Sequence, residues 1–95
     1  MKIVEFYEGT NCVQLCYGGF YWLTGMDKLN AEAEKLRTDA RRICKAVGVH
    51  NEFCEYDVTL NLEDRKIYVA ISGERKVCDK IVAEARKRHF TLGNK

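Results

Sequence analysis

The alternation of apolar and polar positions divides the chain into two halves of similar plan. In residues 2–7, Val4 and Phe6 point one way while Ile3, Glu5 and Tyr7 point the other, the period of two that marks a strand. Glu8-Gly9-Thr10-Asn11 is a turn cluster. Residues 12–17 form the next strand, with Val13, Leu15 and Tyr17 on one face. Gly18-Gly19 then separates two β-prone runs. A two-residue loop suits this pair, because glycine tolerates the positive φ that such hairpins require. Phe20, Tyr21, Trp22 and Leu23 would follow as a third strand; one long strand with a glycine bulge is the alternative.

The period then lengthens. Met26, Leu29, Ala33, Leu36, Ala40, Ile43 and Val47 recur at alternating intervals of three and four, the apolar stripe of a long helix. Thr24 is placed as its N-cap with Asp27 reaching back, and Gly48 closes it, with Val49 positioned for the hydrophobic contact of a C-terminal cap. Such a stripe can cover a sheet or pair with its own copy in a dimer. The strands need a cover, which favours the first use.

The second half repeats the plan. In residues 53–62, Cys54, Tyr56, Val58, Leu60 and Leu62 alternate against Glu55, Asp57, Thr59 and Asn61. Glu63-Asp64-Arg65 turns the chain, and residues 66–71 return with Ile67, Val69 and Ile71 inward. Ser72-Gly73 opens a second helix over residues 74–90, Ser72 serving as N-cap. Its apolar side is Val77, Cys78, Ile81, Val82, Ala85 and His89. Residues 91–95 read as a frayed tail. The order ββ(β)αββα predicts a single α+β domain over residues 1–95. Its antiparallel sheet has four or five strands, with both helices packed on one face. The opposite sheet face carries Glu5, Gln14, Glu55, Asp57, Thr59, Lys66 and Tyr68.

Composition narrows the function classes. Apolar residues make up 46% and charged residues 32%, the balance of a globular chain. A net charge of +2 excludes a strongly acidic mimic of DNA. No apolar run reaches the length of a membrane-spanning helix. Glu5 interrupts the opening apolar residues, so no signal peptide is expected, and the expected compartment is the cytosol. There the five cysteines, an odd number, stay reduced.

Metal and catalytic chemistry find little support. Cys12 and Cys16 share a strand face about 13 Å apart, too far for one ion. Cys44, His50 and Cys54 run C-x5-H-x3-C, but cysteines in a reducing compartment are commonly small buried hydrophobes. Ser72 is better used as a helix cap than as a nucleophile, and Gly18-Gly19 lacks the lysine and helix of a phosphate loop. The expectation is therefore no enzyme, no cofactor, no metal and no small-molecule substrate.

Charge is segregated. From residue 73 to 95, seven lysines and arginines face three acids; from 51 to 72, two face five. Lys28, Lys35 and Arg42 recur every seventh residue on the first helix, with Arg41 and Lys45 beside them. Lys76, Lys80, Arg86 and Lys87, together with Arg75 and Arg88, line the second. With both helices on one side, their outer faces form one cationic surface that attracts phosphate backbones or acidic protein. Three consecutive aromatics place at least one outside the core, and Tyr21 is the candidate anchor for a partner.

These general features resemble the small phage-encoded anti-CRISPR proteins, particularly those that block type I surveillance complexes. They are a length under 100 residues, a hairpin-rich α+β domain and a basic helical surface from Lys28 through Arg88. The resemblance implies a stoichiometric inhibitor in the host cytosol, docked on Cas subunits or beside guide RNA, that blocks target DNA. The alternative is a domain that binds RNA or DNA directly through the same basic helices.

Overall fold

The computed structural model describes residues 3–20, 25–48, 58–61, 63 and 65–93. Strand β1 (Ile3–Gly9) turns through Thr10 and Asn11 into β2 (Cys12–Gly18). The strands pair directly up to Gly9 opposite Cys12, so the turn is two residues long and not four. Asn11 takes φ 53°, a left-handed conformation that asparagine adopts more readily than most residues. Helix α1 (Met26–Ala46) follows, then β3 (Val58–Asn61), β4 (Lys66–Ser72), α2 (Arg75–Lys87) and β5 (Thr91–Leu92).

The sheet order is β3-β4-β2-β1-β5. Four strands are antiparallel as expected, but β5 runs parallel to β1, opposing Thr91 to Glu5 and Leu92 to Phe6. The sheet is therefore mixed. Beyond the ladder itself, the Thr91 hydroxyl donates to the Val4 carbonyl at 3.3 Å, and the Gly93 amide to the Phe6 carbonyl at 2.9 Å. The frayed tail expected from residue 91 thus begins with a strand, because it finds the open edge of β1.

Both helices cover one sheet face. Phe6, Val13, Leu15, Tyr17, Ile67, Val69 and Ile71 point toward them and share one core with Leu36, Ala40, Ile43, Ile81 and Ala85. The long apolar stripe of α1 therefore serves as the cover of the sheet. Its middle is fully buried, whereas Met26 is 60% exposed because it lies at the first turn.

Helix boundaries depart from expectation in three places. Gly25 takes the N-cap position of α1 and supplies no side-chain bond. Thr24, the expected cap, lies outside the described residues. Ser72 does not cap α2: it pairs with Cys12 in the ladder, and the N-cap falls on Glu74, which makes no side-chain bond. At the far end α2 stops at Lys87, and His89, at φ 69°, is exposed. That reversal swings Phe90 back into the core, where it takes the place assigned to His89. Gly48 closes α1 at φ 79°, as its position suggested. The third strand at residues 20–23, the Val49 contact, and residues 53–57 and 62 of the strand at 53–62 fall outside the described residues, apart from Phe20, which packs against the core without regular structure.

Candidate binding surface

Each helix has three flanks: one into the core, one toward a sheet edge, one toward the other helix. On α1, Met26, Asn30, Ala33, Glu34 and Arg37 border a groove of about 270 Å³ shared with Val58, Leu60 and Ile67. That is the flank toward β3. The opposite flank carries Glu32 and Asp39, seven residues apart. Asp39 accepts a hydrogen bond from the Tyr17 hydroxyl, and the Tyr17 ring stacks on Phe90 at the end of α2, centroids 6.4 Å apart. Helices α1 and α2 touch directly, so this is the flank toward α2. Burial, followed by the Asp39 carboxylate and the nearby Glu32, holds the Tyr17 phenol protonated well above the usual tyrosine range.

On α2 the same reasoning applies in mirror. Arg75, Cys78 and Asp79 border a cleft of about 410 Å³ against Glu8, Gly9, Thr10, Asn11, Cys12 and Val13. Arg86 lies 5.1 Å from the Phe6 ring centroid, a cation–π contact onto β1. This flank faces the β1 edge. Val77, Glu84 and Arg88 therefore face α1.

The cationic positions now separate. Residues three or four apart are neighbours on a helix surface. Lys28, Lys35 and Arg42 are each three or four residues from Glu32 or Asp39, just outward of the α2-facing flank. Lys80 and Lys87 stand in the same relation to Glu84, and Lys76 continues their row. Two rows of three cations thus border the seam between the helices, all six exposed. Lys35 pairs with Glu32 at 3.2 Å, and Lys87 and Arg88 reach Glu84 at 3.9 and 3.1 Å. Among the described residues, Lys28, Arg42, Lys76 and Lys80 enter no ion pair. The structure does not add the remaining candidates to the rows. Arg41 continues the Glu34–Arg37 side toward β3, Lys45 sits at the C-terminal crest of α1, and Arg86 is on the β1 flank. Tyr21 lies outside the described residues.

The open sheet face holds a second cluster that the sequence did not single out. Register places Tyr68 beside Cys16 and Cys16 beside Glu5, with Tyr7 in the adjoining row. Lys66 Nζ donates to the Tyr7 hydroxyl at 2.9 Å, which in turn donates to Glu5 Oε2 at 3.2 Å. The Tyr7 and Tyr68 rings are 6.0 Å apart. The bond to Tyr7 raises the affinity of Lys66 for its proton. Strict alternation assigns these residues to one face but says nothing of the strand order that juxtaposes them.

Cys16, Cys44 and Cys78 are buried and Cys12 is half-buried, consistent with their use as small apolar residues. Burial, then the neighbouring Cys12 and Asp79, pushes the Cys78 thiol up. Among the described residues no three His, Cys, Asp or Glu side chains converge as metal ligands do. No described helix is long and apolar enough to cross a membrane.

Fold and surface together define an α+β sandwich of one sheet and two helices with a cationic outer layer. No family model matches the chain, and no curated protein or solved structure matches it.

Proposed function

We propose that this chain is a non-enzymatic binding protein that docks through the outer face of its helix layer on a larger anionic complex. In its particular form it is a stoichiometric inhibitor of a CRISPR-Cas ribonucleoprotein, seated on Cas subunits or beside guide RNA, and it blocks target binding. The observation that carries the reading is the division of labour within each helix. The apolar side is spent on the sheet, and the solvent side presents lysine and arginine in excess of acid. A surface of one sign attracts a partner of the other and accelerates encounter.

The direct test adds purified protein to a panel of type I surveillance complexes and measures target-DNA binding. Loss of binding at equimolar inhibitor is expected for at least one complex, and its relief by Lys35→Glu with Arg42→Glu, at unchanged circular dichroism, locates the surface. If no complex is inhibited, the particular form fails. If an inhibited complex responds equally to the double variant, the helix layer is not the docking face.

A further inference from the structure

Resting on that choice of face, we infer that the seam between α1 and α2 is a track for the sugar-phosphate backbone of one single-stranded nucleic acid. Lys28, Lys35 and Arg42 line one bank; Lys76, Lys80 and Lys87 line the other. The geometry favours phosphate over an acidic protein surface for two reasons. First, the cations are in rows and not in a patch. Lys76 and Lys80 are four residues apart, about 6 Å along the axis, and the α1 row repeats every seven, about 10 Å. Lys80 and Lys87 are seven apart, like the α1 row, and charge recurring along a line matches a polyelectrolyte, whose charge repeats along its length. Second, the rows face one another. Packed helices lie about 8–10 Å apart, so cations reach a single strand from both sides, whereas a duplex would ride on the crests and meet few of them.

The acids of the seam set the depth of the track. Glu32 and Glu84 are half-buried and hold the Lys35, Lys87 and Arg88 side chains over the seam. Asp39 is turned inward to Tyr17. The carboxylates therefore lie below the ammonium and guanidinium groups, and a strand approaching from solvent meets the cations first. Lys28, Arg42, Lys76 and Lys80 give up no ion pair within the described residues to bind it.

The test is fluorescence anisotropy with a labelled single-stranded RNA of mixed sequence, titrated from low to physiological salt. Six phosphate contacts on a single strand give a log–log salt slope of about −4. Lys35→Glu with Arg42→Glu should flatten that slope by about 1.4 and weaken binding at least tenfold. Lys76→Glu with Lys80→Glu should do the same from the other bank. Arg41→Glu with Arg75→Glu removes equal charge away from the seam and should leave the slope near wild type. An equal loss in this control overturns the track, as does tighter binding of a duplex of the same length. Absence of RNA binding at low salt overturns it too. If inhibition of a surveillance complex still depends on Lys35 and Arg42 in that case, the helix layer remains the docking face and its partner is acidic protein. If that dependence is also absent, both readings fall.

Discussion

At Gly93 the backbone passes so close to β1 that a β-carbon would overlap the Tyr7 ring and the Glu5 carboxylate. A carboxylate can swing aside, but Tyr7 is 95% shielded and bonded to both Glu5 and Lys66, so its ring cannot. Gly93→Ala should therefore detach β5 from β1 and cost about 1–3 kcal/mol in urea unfolding; an unchanged midpoint would mean that the tail contributes nothing to stability. Tyr17 offers a different measurement. The folded chain holds its phenol protonated beyond the ordinary pKa of about 10. The unfolded chain releases that proton first, so the stability it confers is present in full below about pH 10 and lost as pH climbs further. Lys66, whose folded form also clings to its proton, contributes with the same sign. Unfolding followed from pH 8 to 11 should show a steep alkaline loss, made shallower in Tyr17→Phe.

The stripe of α1 shows what can and cannot be learned from periodicity. Its seven positions identify one face of one helix, and Leu36, Ala40 and Ile43 are indeed wholly buried. The same rule assigns Met26 to that face, yet Met26 stands at the first turn, 60% exposed. Leu36→Ala should cost about 2–5 kcal/mol, and Met26→Ala should stay within about 0.5 kcal/mol. Comparable losses at both would contradict the placement of α1. Boundaries were harder to read than faces for a related reason. Ser72 has the chemistry of a cap, but a ladder bond to β2 competes for it, and that competition depends on which strands are neighbours. The candidate binding surface divides the same way. Heptad spacing marks Lys28, Lys35 and Arg42 as one row from sequence alone. That this row faces Lys76, Lys80 and Lys87 across a seam, while Arg41 and Arg86 look elsewhere, follows from the order β3-β4-β2-β1-β5. No local pattern encodes that order. Likewise β5 is invisible beforehand, since two residues carry no period and its partner lies at the opposite end of the chain.

Whether the whole molecule stands alone depends on what its surface leaves unsatisfied. The α1 stripe, which in isolation suits a coiled-coil dimer, is consumed by the sheet. The exposed large apolar side chains among the described residues are Ile3, Met26 and Leu92, and they are scattered. Ile3 points to the open sheet face, Leu92 stands on the edge strand, and Met26 opens α1. Single exposed apolar residues do not drive association; contiguous patches do. At the β1 edge, β5 pairs with Glu5 and Phe6 and so occupies part of what another chain could pair with. The Cα radius of gyration of 12.8 Å is that of a chain of this length folded on itself. The cationic helix layer opposes self-association further, since two such faces repel. Sedimentation velocity across the micromolar range should therefore give a monomer, and raising the salt should not change that. A dimer that persists at low concentration and is broken by Leu36→Ala would return the stripe to a coiled-coil role and remove the helix layer as a free docking face. A dimer that appears only at high salt would instead show that repulsion between like-charged faces had been holding the copies apart.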